Sequence, residues 1–202
     1  MKPSYVISKF FSWTLSPMLL PVYGIFACLW LTPCSLVPPA SRWMIIAWTF
    51  LFTCVVPAVA VLVLFRMKLI SDPGLNRRED RLIPYIVTLL CYVAETVYLM
   101  RIGAPRWMWM FVVGAACVVI VSALVNLRWK ISGHMAGIGG LTALVVRLMV
   151  SNLAVYDLMP LLVIAILLSG ALGTSRILLN CHTLSQVVAG WINGFMWVFL
   201  LT

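Results

Sequence analysis

The residues best equipped for chemistry lie in two short polar segments of an otherwise apolar chain. In the first, Leu127 to Gly140, two cations (Arg128 and Lys130), the Ser132 hydroxyl, Gly133 and His134 fall within seven positions. Long apolar runs flank them, so these groups must sit at or just under a membrane surface. Charges and imidazoles are costly there and tend to be kept for function. Ser132, Gly133 and His134 then open a new apolar helix, whose free backbone N–H groups and positive dipole end favour an anion. Lys130 adds a point charge to the same spot. The segment reads as half of a phosphate-binding site. The second segment, Ser175 to Gln186, carries Arg176 and His182 ahead of the last apolar run. His182 and Gln186 are four residues apart and share a helix face. An arginine fork grips two phosphate oxygens, and a histidine about one turn away can attack phosphorus or carry a proton.

Membrane helices must hold these groups. The chain has 202 residues, 64% hydrophobic and 9% charged, with a mean hydropathy of +1.10. No soluble domain hides that much apolar surface, so the bilayer is its solvent. The expected architecture is all-α: a polytopic transmembrane helix bundle of about six to seven spans, forming one domain over residues 1–202. The apolar runs fall at about 14–32, 44–66, 82–100, 107–127, 134–150, 158–173 and 186–202, most of them near the roughly 20 residues needed to cross. Lys2 and Lys9 precede the first run, but no small-x-small cleavage site follows and Pro17 and Pro21 interrupt it. That run is expected to be a retained first span. No internal repeat with broken helices in each half supports a transporter.

If each run crosses once, the N-terminus, the Arg66–Arg81 loop, the Arg128–His134 segment and the Thr174–His182 segment share one face. The connectors at Pro33–Ser41, Met100–Arg106 and Ser151–Asp157 share the other with the C-terminus. All the chemically equipped loops thus gather on one side. The formal net charge of +9 reads as topology, anionic headgroups and an anionic substrate. The positive-inside count, with Lys2, Lys9, Arg66, Lys68, Arg77 and Arg78 against Arg42, Arg101, Arg106 and Arg147, favours a cytoplasmic site face. Some of those cations could belong to the substrate site, so the face stays open. Dispersed cations argue against nucleic acid. Six cysteines without a CxxC pair read as structural thiols, and two histidines with no nearby pair of acids make a poor metal set.

These segments resemble the second and third signature motifs of the type 2 phosphatidic acid phosphatase superfamily. Lys130-x-Ser132-Gly133-His134 matches the proline-serine-glycine-histidine motif with Ile131 in the proline's place. Ser175-Arg176-x5-His182 matches the serine-arginine-x5-histidine-x3-aspartate motif with Gln186 in the aspartate's place. The first motif, a lysine, six residues, then arginine-proline, is echoed only by Arg77 to Pro84. The resemblance covers mainly residues 66–202. It implies His182 as the nucleophile that becomes a phosphohistidine, His134 as the general acid, and Gln186 as the partner that holds the His182 ring. It further implies Lys130, Ser132, Gly133 and Arg176 as phosphate ligands, with Arg81 and Arg78 as first-motif cations. Gln186 supplies no negative charge, a role that Glu79 or Asp80 in the preceding loop could take.

The expected function is therefore that of an integral-membrane, metal-independent phosphatase with no cofactor. It would act on a lipid phosphate or prenyl pyrophosphate, as a multi-pass protein of a bacterial cytoplasmic membrane with membrane lipids as its partners. The alternative is a non-catalytic relative that binds anionic lipid or supports a membrane complex. Three geometric expectations follow. His134 and His182 should meet across one pocket lined by Lys130, Ser132 and Arg176. Arg81 or Arg78 should point into it, with Pro84 in the first turn of the third span. Glu95 and Arg147, deep in hydrocarbon at similar depths, should contact each other, or share a buried polar network, as a structural clamp away from the chemistry.

Overall fold

A computed structural model describes residues 3–75 and 77–202, so Lys2 lies outside the described residues. The described chain is all α-helical, and six of its helical stretches are long and apolar enough to cross a membrane. In order come α1 (Pro3–Thr14), α2 (Leu20–Leu31), α3 (Pro39–Phe50), α4 (Val56–Arg66), α5 (Leu82–Arg101), α6 (Arg106–Asn126), α7 (Gly133–Val150), α8 (Met159–Leu178) and α9 (Leu184–Leu201). Leu62, Leu90, Leu124, Leu167 and Leu200 all point outward, as they do when the surrounding solvent is lipid.

The first apolar run is the one that departs from a simple span. Helix α1 ends at Thr14, a turn containing Pro17 follows, and α2 has 12 residues. At 1.5 Å per residue, α2 is only about 18 Å long. It still reaches the far connector, because the backbone N–H of Val155 donates to the Leu31 carbonyl at 2.9 Å. Helices α3 and α4 form one stretch, Pro39–Arg66, joined by a π turn over Leu51–Val55. The cause is Pro57. It has no N–H for the Thr53 carbonyl and its ring clashes with that carbonyl, so the ladder widens just before it.

Helices α7 and α9 run parallel and pack almost backbone to backbone. A Cβ on Gly194 would lie 1.8 Å from the Ala136 carbonyl oxygen, one on Gly190 2.5 Å from that of Ser132, and one on Gly139 2.3 Å from that of Trp191. Small residues that let helices approach this closely are the usual device inside membranes. Of the other glycines of α7, a Cβ on Gly137 would meet Leu20 and one on Gly140 would meet Val198, whereas Gly133 faces open space. Asn193 ties α9 to α6 by donating to the Val118 carbonyl at 3.2 Å and the Ser122 hydroxyl at 3.1 Å. The close α7–α9 pairing brings the starts of both helices together at one end of the bundle.

The expected clamp between Glu95 and Arg147 does not form. Glu95 is fully buried, and its Oε1 lies 2.6 Å from the Thr49 hydroxyl on α3. Arg147 stacks its guanidinium over the Phe199 ring, 5.4 Å from the centroid, near the far end of α9. Similar depth did not bring them together, because each helix turned its polar group toward a different partner.

Candidate functional site

The local folding of each motif follows from its caps. Ser132 has extended backbone and its Oγ accepts from the Met135 N–H at 3.4 Å, which starts α7. Its own N–H donates to the Gln186 carbonyl at 3.3 Å, joining the two motifs directly. Helix α8 ends through Asn180 in the left-handed region, at φ 53°, where asparagine is tolerated. The N–H groups of Cys181 and His182 then both donate to the Arg176 carbonyl, at 3.1 and 3.3 Å. The five-residue gap between Arg176 and His182 is thus the length of one helix C-cap, and it folds His182 back over Arg176.

Thr183 caps α9 in a reciprocal box with Gln186. The Gln186 Oε1 accepts from the Thr183 N–H at 3.3 Å and lies 3.1 Å from His182 Nδ1. A backbone N–H can only donate, which fixes the amide orientation. His182 Nδ1 must therefore carry the hydrogen, and Nε2 keeps its lone pair. The ring is buried at 7% exposure, and its pKa is pushed down to about 4. Burial is the main cause, with Arg81, Lys130 and Arg176 adding to it against the opposing Gln186 contact. At neutral pH the imidazole is neutral, as a nucleophile requires.

His134, in the first turn of α7, is fixed from the other side of the chain. Its Nε2 lies 3.1 Å from the Ser12 carbonyl on α1. A carbonyl only accepts, so Nε2 carries the hydrogen. Arg176 Nη1 donates to the Ser12 hydroxyl at 3.3 Å, while Arg176 Nε is buried without a partner among the described residues. A buried guanidinium with an unused donor is a ready anion ligand.

One cavity of about 280 Å3 connects these groups. Arg81, Gly133, His134, Arg176 and His182 line its polar end, beside Ser16, Pro17 and Met18 of the α1–α2 turn. Arg81 is braced by donating to the Leu75 carbonyl at 2.8 Å and the Ile131 carbonyl at 3.0 Å. Pro84 lies in the first turn of α5 and also lines the cavity. From there the cavity continues between the helices past Thr88, Tyr92, Val118, Ala136 and Gly137 to Phe111 and Val198. No carboxylate lines it among the described residues.

Three expected phosphate ligands stand elsewhere. Ser132 is fully buried as the α7 cap and does not line the cavity. Lys130 also stays outside it, donating to the Cys181 carbonyl at 2.9 Å, so it acts on the site as a charge beside His182. Its own pKa is lowered, first by burial and then by Arg81 and Arg176, against a raising effect of Cys181. Arg78 is exposed and donates to the Arg128 carbonyl at 2.9 Å, which removes it from the candidate ligands. Glu79 pairs with Arg78 and Arg77, and Asp80 accepts from Ser71, so neither supplies the missing charge to His182.

The contribution of α1 had no signal in the sequence, since Ser12 lies far from both motifs. The Thr183–Gln186 box did carry one, the Thr-x-x-Gln pattern ahead of an apolar run. Tyr85, Thr88 and Ser122 enter the cavity wall only through packing. In comparisons with known proteins, no family model, no curated protein and no solved structure matches this chain.

Proposed function

We propose that this protein is an integral-membrane, metal-independent phosphatase that hydrolyses a lipid phosphate or prenyl pyrophosphate, in the manner of the type 2 phosphatidic acid phosphatases it resembles. One observation carries the reading: two histidines and two arginines share the polar end of a cavity that runs on into the apolar interior. A phosphate at the polar end and a hydrocarbon tail in the interior satisfy both halves of that cavity. Arg81 and Arg176 neutralise the phosphoryl oxygens. His182 Nε2 attacks phosphorus, forming the N–P bond as the P–O bond to the lipid breaks. His134 Nε2 holds its hydrogen on the Ser12 carbonyl, so the proton comes from the substrate's phosphate monoanion, passes to His134 Nδ1 and is taken from there by the leaving oxygen. Water then attacks the phosphohistidine and gives its proton to His134 Nδ1, which returns it to the departing phosphate as His182 is restored.

The test is phosphate release by the full-length protein in detergent, with phosphatidate and a prenyl pyrophosphate as substrates and a chelator present. Release that is chelator-resistant and lost in His182→Ala supports the reading. Release that survives His182→Ala overturns it. Gln186 favours a second reading, because it orients His182 yet cannot stabilise an imidazolium as a carboxylate does. On that reading the protein binds phosphorylated lipid without turning it over: the release assay finds no phosphate, while titration of the same detergent sample with labelled phosphatidate finds saturable binding.

A further inference from the structure

We infer that Ser12 of the N-terminal helix is a positioning residue of the site, setting the tautomer of His134 through its carbonyl and holding Arg176 through its hydroxyl. Its role in proton transfer rests on the proposed phosphatase chemistry, whereas the tautomer it imposes does not. Both roles follow from how α1 is placed. Val6, Ile7, Phe10 and Trp13 point outward, Trp13 at 81% exposure, while Ser8 and Ser12 are buried on the opposite side. The helix thus turns its large apolar groups to lipid and its small polar ones to the protein. Leu15 and Phe11 pack with Leu168 and Leu172 of α8, which holds the end of α1 beside Arg176.

Two contacts follow from that placement. The Ser12 carbonyl accepts from His134 Nε2 at 3.1 Å, and the Ser12 hydroxyl accepts from Arg176 Nη1 at 3.3 Å. With Nε2 committed, Nδ1 is the His134 nitrogen left to exchange a proton with a leaving oxygen. His182 is committed in the opposite sense, Nδ1 to Gln186 and Nε2 free. The site therefore holds its two imidazoles in complementary tautomers, one set by α9 and the other by α1. A ring fixed by a hydrogen bond at its far nitrogen is the general device for choosing which nitrogen reacts.

The chain has two histidines, so histidine 15N labelling reads this directly. In the full-length His182→Ala variant, the remaining His134 ring should show Nε2 protonated and Nδ1 bare at neutral pH. Ser12→Ala keeps the carbonyl, and should leave that pattern intact. The Nε2 hydrogen, held on the Ser12 carbonyl, should exchange with solvent slowly enough to give a resolved imidazole N–H signal. A protonated Nδ1 with bare Nε2, loss of the pattern in Ser12→Ala, or an Nε2 hydrogen that exchanges as fast as that of a free imidazole would each overturn the proposal. None of these readouts depends on turnover, so a protein without phosphatase activity can still pass or fail.

Discussion

At the residue scale the site is a set of donors and acceptors whose directions are fixed by backbone groups. His182 illustrates this, since Gln186 answers both the Thr183 N–H and the ring. Gln186→Leu removes both acceptances, and should lower stability by about 1–2 kcal/mol through the lost cap. The measurement is thermal unfolding in detergent, with Val187, already buried, left untouched as the packing reference. His182 also makes the fold pH-sensitive. Its folded pKa of about 4 lies below the ordinary value of 6.5. The unfolded chain therefore takes up this proton first as pH falls. Stability from His182 is complete above about pH 6.5 and is lost between there and about pH 4, by roughly 3 kcal/mol at most. The slope of unfolding temperature over that window should flatten in His182→Ala.

At the element scale the decisive fact is how closely α7 and α9 approach. Gly194→Ala drives a methyl into the backbone of Ala136 and Gly140, which cannot rotate away. It should cost about 3 kcal/mol or more, beyond the usual range for overpacking. Gly170→Ala, where nothing lies within 4 Å, should leave the unfolding temperature unchanged. The α3–α5 contact supplies a second test. The Thr49 hydroxyl lies 2.9 Å from the Ile45 carbonyl and 2.6 Å from Glu95 Oε1, and its single hydrogen cannot serve both. Both contacts hold only if the carboxyl group donates. Glu95→Gln, whose amide can donate to Thr49, should therefore change stability by less than about 1 kcal/mol. Thr49→Val strands the carboxyl group and should cost about 1–3 kcal/mol. These four unfolding curves separate packing from polar satisfaction.

At the scale of the whole molecule, two ends of the bundle differ in kind. Arg81, Arg176 and His182 line the polar end of the cavity, with exposed Arg66 at the end of α4 and Lys68, Arg77, Arg78 and Arg128 on the neighbouring loops. The opposite end carries the Pro33–Leu36 turn and the Ser151–Leu158 connector, joined by the Val155–Leu31 hydrogen bond. Cys181 and Cys34 mark the two ends. Single-cysteine variants in sealed vesicles should react with an impermeant maleimide from opposite sides. Labelling of both from one side would refute the crossing pattern of α3 through α8.

The membrane class, the helical architecture and the two polar motifs were legible in the sequence because each depends on composition or short spacing. Twenty apolar residues between charges have no other stable form in lipid, and Arg176-x5-His182 is a local cap. The first run, expected as a span, is instead broken near Pro17 into α1 and a 12-residue α2 that still reaches the far connector. What the tertiary structure alone decided is which polar groups face the cavity. Ser132 and Lys130 lie within motif spacing and yet turn to helix caps and carbonyls, because α7 and α9 start too close together to leave them free. Glu95 and Arg147 share a depth but not a partner, since depth follows from residue count and azimuth from packing. Ser12 joins the site across more than a hundred residues through the docking of α1 on α8. Spacing along one helix encodes neighbours one turn away, whereas a contact between helices depends on how every intervening span has packed.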